Sequence, residues 1–439
     1  MPRNRGAPTL RTMLPGPIDK YHVPRWLGDR APRAFHVMAK PAGSACNLDC
    51  SYCYYLHKQR LAGGPGPGHM SDEVLEAFVR SYLADVTGDE VVFSWQGGEP
   101  TLLGLAFFEK ALRLQRKYAR PGQRVANSLQ TNGTLLDEDW ARFLRRNRFL
   151  VGISIDGPRA LHDELRVSKG GKPTFDRVMA GVDVLRRFDV PFNTLTCVHR
   201  YNASRPLDVY RFLRRVVRST YLQFIPVVEL RGFESTAPQA WTAARLPRVG
   251  SPEARPGHAH SVVTEWSVDP EAYGEFLCKV WDDWLRRDIG KVVVNFCETL
   301  VAQHLGQPAQ VCVYGETCGK AVAIEHDGSV YACDHYVYAE YRRGTVRERR
   351  LGDIVFDPAQ VRFGYAKSER LPKRCWACPF LTDCWGECPK SRFVRTPDDE
   401  PGLNYLCPGL RRFFAHAVPQ ADAIAARLRS RPLVPRPRM

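Results

Sequence analysis

No run of eighteen or more apolar residues occurs in this 439-residue chain, so the sequence offers no helix able to span a bilayer. The opening stretch, Met1 to Arg33, is rich in Arg and Pro and lacks the apolar core of a secretory signal. These two absences predict a cytoplasmic protein with no membrane partner. Also missing is any basic stretch interleaved with stacking aromatics. The net charge of +16 would attract phosphates, yet the arginines are spread along the chain and thicken only in the tail Arg427 to Arg438. Solvated charge accounts for that distribution, and no nucleic-acid partner is expected. A hydrophobic share of 44% and a charged share of 25% are ordinary for a globular protein. The length suffices for a large core plus a smaller second module.

Cysteine is plentiful, with fourteen in the chain. In a reducing compartment clustered thiols point to metal or redox chemistry rather than to disulfides. Cys197, Cys278 and Cys297 stand alone among apolar residues and read as small buried hydrophobes. The other eleven fall into two tightly spaced fields.

From Phe35 to Glu229 an apolar strand followed by an amphipathic helix recurs six times. The strands are expected at 35–40, 90–95, 124–130, 150–155, 191–198 and 221–228, with helices at 72–84, 105–118, 138–146 and 175–188 between them. This alternation predicts an α/β fold with a parallel sheet, a partial (β/α)6 TIM-type barrel two units short of closure. Ligands in such sheets bind beyond the carboxyl ends of the strands. The expected organisation is a basic extension over 1–34, the barrel over 35–230, a flexible Pro/Arg-rich insertion over 231–268 and a helical linker over 269–311. A small cysteine-rich α+β domain over 312–409 follows, containing a hairpin around Asp327-Gly328. A closing helix and basic tail occupy 410–439.

The first cysteine field, Cys46-x3-Cys50-x2-Cys53, falls in the loop after the first strand. Three thiolates this close can hold three irons of a four-iron cluster and leave the fourth open for a ligand. A zinc knuckle completed by His57 is the alternative reading. The second field runs Cys312-x5-Cys318-x14-Cys333, then Cys375-x2-Cys378-x5-Cys384-x3-Cys388, and ends at Cys407. Eight thiolates make two complete four-ligand sets, and spacing alone would group Cys375 to Cys388 as one. Structural zinc is again the alternative.

Cys-x3-Cys-x2-Cys on the first loop of a partial barrel resembles the radical S-adenosylmethionine superfamily. The resemblance implies that the open iron chelates the amino and carboxylate groups of S-adenosylmethionine, and that electron transfer then releases a 5′-deoxyadenosyl radical. It places Gly98 and Glu99, in Gly97-Gly98-Glu99-Pro100, at the amino-group site. It also assigns Ser154 and Arg166 to the cofactor's polar groups, Val227 to adenine, and Tyr55 and Gln96 to the walls of the cofactor and substrate pocket. The second field resembles the SPASM extension, which implies an interleaved ligation. Cys312, Cys318, Cys333 and Cys388 would hold a nearer auxiliary four-iron cluster, and Cys375, Cys378, Cys384 and Cys407 a farther one, for three clusters in all.

Further stretches narrow the family. Trp95-Gln96-Gly-Gly-Glu-Pro-Thr101, Asn127-Ser-Leu-Gln-Thr-Asn-Gly133, Glu316-Thr-Cys-Gly319, Cys333-Asp334-His335 and Gly402-Leu-Asn-Tyr-Leu-Cys407 are similar to the anaerobic sulfatase-maturating enzymes. That resemblance implies oxidation of a Cys or Ser in an unfolded sulfatase segment to formylglycine, with an electron donor such as flavodoxin or ferredoxin. Asp334 matches the family's catalytic base, with His335 as the rival. Two other functions stay open on the sequence. One is a SPASM peptide maturase forming thioether or carbon–carbon links, and the other is a zinc-stabilised peptide-binding scaffold.

Overall fold

Short runs of alternating or wholly apolar residues, most of them followed by a helix, build the sheet. The computed structural model describes residues 33–58, 68–234 and 246–430. The six expected strands are β1 (His36–Lys40), β2 (Glu90–Trp95), β3 (Arg124–Thr131), β4 (Leu150–Ser154), β5 (Phe192–Val198) and β6 (Tyr221–Pro226). They pair in parallel and in sequence order. Between them lie α1 (Asp72–Asp85), α2 (Gly104–Tyr118), α3 (Glu138–Arg146), α4 (Phe175–Arg187) and α5 (Pro206–Phe212). Caps fix where helices begin: Ser71 accepts from the Val74 N–H, and Asp137 from the Trp140 N–H. The face of the sheet toward these helices is aromatic. Phe93 and Trp95 of β2 meet Phe78 of α1 edge-on, and Trp95 meets Phe108 of α2 the same way. Phe78, Phe93, Trp95 and Phe108 are all fully buried.

The sheet does not stop at six strands. A two-residue β7 (Val293–Val294) adds to β6 in parallel. On the opposite edge β8 (Ala321–Glu325) pairs in parallel with β1, in a register that sets Lys40 beside Glu325. The expected hairpin then forms with β9 (Ser329–Tyr331), and β10 (Arg342–Thr345) completes a ten-stranded sheet. The cysteine-rich stretch is therefore continuous with the barrel through main-chain hydrogen bonds. Outside the sheet run α6 (Pro270–Arg287), α7 (Asn295–His304), α8 (Pro358–Glu369) and α9 (Cys407–Arg429). Helices α6 and α9 cross at two glycines: a Cβ on Gly409 would stand 1.8 Å from the Pro270 carbonyl oxygen, so only glycine permits this approach.

Much of the segment read as a flexible insertion is packed. Leu246, Ala254, Val263 and Val268 are buried, and Leu230 bridges Val263. These apolar residues are spaced without period, which hid them among the Pro and Arg. Most of the basic N-terminal extension and the end of the tail lie outside the described residues. Among the described residues no helix is long and apolar enough to cross a membrane.

Candidate active site

The loop that carries Cys46, Cys50 and Cys53 leaves β1 at Lys40 and is fastened on both sides. From the end of β2, the Gly98 N–H donates to the Gly43 carbonyl at 2.8 Å and the Glu99 N–H to the Ala45 carbonyl at 2.8 Å. Gly98 is required for this contact, because a Cβ there would lie 2.0 Å from the Ala45 carbonyl oxygen. On the other side the Asp49 and Ser51 N–H groups donate to the Val167 and Leu165 carbonyls at 2.8 and 3.1 Å. Glu99, read as the acceptor for an ammonium group, is fully buried. Its oxygens already accept from the Thr101 N–H and hydroxyl at 3.0 and 2.6 Å, the Thr131 hydroxyl at 2.7 Å and the Asn132 N–H at 2.7 Å. The side chain ties the end of β2 to the end of β3, and the glycine main chain is what meets the cysteine loop.

Three tyrosines, Tyr52 just before Cys53 and Tyr54 and Tyr55 just after it, diverge. Tyr52 turns toward the barrel, where its hydroxyl donates to Asp156 Oδ2 at 2.5 Å. Arg166 Nε donates to the same oxygen at 2.8 Å, and the Cys197 N–H to Oδ1 at 2.9 Å. Burial alone would raise the Asp156 carboxyl, but Arg166, His199 and His162 nearby hold it below the usual carboxylate range. The Arg166 guanidinium lies 5.5 Å from the centre of the Tyr52 ring. Tyr52 also packs with Leu165, Val227, Cys50 and Trp266. Arg166 and Val227, both predicted from sequence, are thus brought together, and Ser154, two residues before Asp156, accepts from Gln130 Nε2 at 3.0 Å. The tyrosine among them is Tyr52 and not the predicted Tyr55. Beside them the Trp266 indole N–H is buried with no partner among the described residues. Trp266 also lines a cavity of about 520 Å³ with Phe233, Glu234, Thr264 and Glu265.

Tyr54 and Tyr55 turn the other way, toward the cysteine-rich module. The Tyr55 hydroxyl donates to Glu325, and its ring packs on Ala323, Tyr331 and Val337. The Tyr54 hydroxyl donates to Asp334, which also forms an ion pair with the buried Lys40. Burial would raise the Asp334 carboxyl, but Lys40, His335 and the Tyr54 hydroxyl outweigh it and hold it down to about 2. Around Tyr54 stand Lys390, 5.3 Å from the ring centre and paired with Glu229, and Lys58, which donates to the His335 carbonyl at 3.3 Å. His335 itself faces Cys388, Nδ1 to Sγ 3.5 Å, and burial lowers it to about 4. Gln96 is half-buried at the end of β2, its N–H donating to the Ala39 carbonyl at 2.8 Å. Sequence reasoning missed Lys40, Tyr54, Glu325 and Tyr52. Only the pairing of β1 with β8 reveals the first and third, while Tyr52 was within view as the residue between two cysteines.

The eight remaining clustered cysteines sort by their neighbours. Cys333 lies beside Cys312 and Cys388, while Tyr336 adjoins Cys388, Cys333 and Cys318. Cys375 lies beside Cys407 and Cys378, and Cys384 beside Cys407 and Cys375. Lys367 fastens the first group by donating to the Cys312 and Val313 carbonyls at 2.9 and 2.8 Å. In the loop after β1, Cys50 adjoins both Cys53 and Cys46. A zinc ion would draw its donors to about 2.3 Å from one point. Thiol groups gathered in one set of three and two sets of four are the donors an iron–sulfur cluster takes, so the donor chemistry fits one.

Residues 41–213 match the radical SAM superfamily, and residues 312–379 match an iron–sulfur cluster-binding domain. The chain is 41% identical to a serine-type anaerobic sulfatase-maturating enzyme of Bacteroides thetaiotaomicron, covering 89% of this chain and 91% of that one. It is 32% identical to a cysteine-type enzyme of the same kind from Clostridium perfringens, covering 89% and 98%. A solved structure of native anSMEcpe with bound AdoMet and Cp18Cys peptide superposes with a TM-score of 0.74 at 31% identity. The alignment covers 90% of this chain and 99% of that one.

Proposed function

This chain belongs to the anaerobic sulfatase-maturating enzymes, and from that membership we propose how its residues divide the work of oxidising a sulfatase Ser or Cys to Cα-formylglycine. It is a radical S-adenosylmethionine enzyme with three four-iron clusters and a peptide substrate. The observation that carries the proposal is the placement of Asp334. Although far away in sequence, Asp334 lies against the cysteine loop, held by Lys40 and Tyr54.

Cys46, Cys50 and Cys53 hold the first cluster, and S-adenosylmethionine binds beside it. When bound, this pair supplies the one-electron cleavage that yields a hydrogen-atom acceptor. Gly98 lets the β2 end approach the loop, and Glu99 fixes that turn at the cofactor's amino group. Arg166 and Ser154 face its polar groups, and Val227 with Trp266 walls its base. Tyr52 joins this set, whereas Tyr55 supports Glu325 on the far flank.

The substrate β-carbon loses a hydrogen atom, its hydroxyl or thiol loses a proton to Asp334, and one further electron leaves. The sum is a two-electron oxidation to an aldehyde, or to a thioaldehyde that hydrolyses with loss of sulfide. A carboxylate held at about 2 is a weak base. Proton transfer to it is favoured after hydrogen loss from carbon, which makes the neighbouring O–H or S–H more acidic. Lys40 and Tyr54 keep the acceptor oxygens aimed, and Gln96 borders the target side chain. The eight other thiolates, Cys312, Cys318, Cys333 and Cys388 with Cys375, Cys378, Cys384 and Cys407, complete two closed sets. Closed sets suit onward passage of the electron rather than substrate binding. A flavodoxin- or ferredoxin-type donor and a reducing cytoplasm suit eleven thiolate ligands.

The test is product mass. Anaerobically reconstituted protein, reductant and S-adenosylmethionine are incubated with a sulfatase peptide carrying Ser or Cys at the target position. Formation of the aldehyde supports the reading. A thioether or carbon–carbon cross-link in its place would assign the chain to peptide cross-linking chemistry.

A further inference from the structure

Strand alternation sends one set of side chains away from the helices, onto the concave face of the barrel. In a closed barrel this face is filled by branched apolar side chains. Here it is polar. Ser94 and Ser128 hydrogen-bond to each other across β2 and β3 at 2.9 Å. One row further along, Gln130, Gly152 and Asn193 are direct partners across β3, β4 and β5. On the next row Leu195 of β5 partners Gln223 of β6. Gly152 shows which way the amides point. A Cβ built there would fall 2.0 Å from Gln130 Oε1 and 3.1 Å from Asn193 Oδ1, so both side chains lie over the glycine.

Gln130, Asn193 and Gln223 are all half-buried, and neither the Asn193 nor the Gln223 side chain has a partner among the described residues. A side-chain amide offers a donor pair and an acceptor, the complement of a peptide group. Half-buried amides that lose their water on ligand binding must regain hydrogen bonds from the ligand. The rows of Ser94, Gln130 and Gln223 carry no charged side chain; charge lies at the two ends of the face, in the exposed Glu90–Arg124 pair at the foot and in Lys40 with Asp334 at the mouth.

We propose that the concave face reads main chain: the amides of Gln130, Asn193 and Gln223 hydrogen-bond to peptide groups of the substrate segment, which passes over Gly152 to bring its target residue up to Asp334. This rests on the proposed function and adds how the segment is recognised, by backbone shape rather than by flanking side chains.

Binding is measured directly, by anisotropy of a labelled synthetic sulfatase peptide with Ser at the target position, titrated with anaerobically reconstituted protein. Asn193→Ala with Gln223→Ala is expected to raise the peptide Kd about tenfold, two neutral hydrogen bonds' worth. N-methylating one peptide amide beside the target should weaken wild-type binding by a similar factor. It should add little to the loss in the variant, because the same contact is removed from either side. Replacing flanking peptide side chains by Ala should cost less than either change. The Kd for S-adenosylmethionine is the control that separates the two occupants of the barrel. If the variant loses affinity for S-adenosylmethionine and keeps it for the peptide, these amides serve the cofactor and the inference falls. It falls as well if peptide binding is unchanged. In both cases conversion of the peptide by wild-type protein would leave the proposed function intact.

Discussion

On one flank of the cysteine loop Tyr52 donates to Asp156 beside Arg166; on the other, Tyr54 donates to Asp334 beside Lys40. The parts are the same, a tyrosine, a carboxylate and a cation, and the settings differ. Asp156 is sealed at 0% exposure, and a main-chain N–H occupies its remaining oxygen. Asp334 keeps a side-chain exposure of 15%, at the seam where β1 and β8 join the two modules. A buried, fully partnered carboxylate holds its neighbours in place, and one left partly open can exchange a proton with a substrate. On the proposed assignment the barrel flank holds the cofactor, and the cysteine-rich flank carries the proton chemistry.

The harshest way to break the comparison removes what both flanks share. Replacing Cys46, Cys50 and Cys53 by Ala should remove about four of about twelve irons and abolish S-adenosylmethionine cleavage, while the other clusters persist. Iron analysis and deoxyadenosine measurement check this, and stoichiometric zinc in the wild type would contradict it. Next comes the sealed pair. Asp156→Asn leaves Arg166 buried without its partner and should cost about 3–5 kcal/mol of stability, read in a denaturant midpoint. Any folded fraction should bind S-adenosylmethionine weakly but make as much aldehyde per cofactor cleaved as wild type.

A finer cut exchanges single hydroxyls. Tyr52→Phe and Tyr54→Phe each delete one hydrogen bond to a carboxylate, about 1.5–3 kcal/mol, or roughly tenfold to a hundredfold. Tyr52→Phe should raise the Kd for S-adenosylmethionine. Tyr54→Phe should spare that Kd and lower the aldehyde formed per deoxyadenosine. If both variants changed the same quantity, the flanks would not be distinct.

A pH dependence is expected on the barrel flank. His162 is fully buried, accepts from the Asp156 N–H at 3.4 Å and is lowered to about 4, first by burial and then by Arg166. Its folded-state value lies below the unfolded one of about 6.5, so the unfolded chain takes the proton first. The stability contributed by neutral His162 is present above pH 6.5 and drains away, by up to about 3 kcal/mol, as pH falls toward 4. His162→Gln should lose less stability between pH 7 and pH 5 than wild type does.

Most strand and helix bounds were legible to within a residue or two, because apolar runs and capping residues mark them locally. Strand β2 and helix α3 fall where the pattern put them, and α6 lies within the expected helical linker. What stayed hidden was non-local. Two residues are too few for β7 to signal itself, and nothing in Ala321–Glu325 says that its partner is β1. Lys40 reads as the end of a strand until that pairing brings Glu325 and Asp334 to it. Glu99 looked like a free acceptor because two of the donors that fill it come from Thr131 and Asn132, a whole strand–helix unit away. Tyr55 and Tyr52 are close in sequence, and only the turn of the loop decides which of them meets Arg166.

The division between the flanks is tested most directly by Asp334→Asn, with deoxyadenosine and peptide aldehyde measured from the same anaerobic reactions. The substitution keeps size and hydrogen bonding but cannot take up the proton, so aldehyde should fall about a hundredfold or more. Iron content, the Kd for S-adenosylmethionine and deoxyadenosine formation should persist, because cleavage precedes deprotonation and belongs to the other flank. Aldehyde formed at a near wild-type rate would contradict the account and move the base elsewhere.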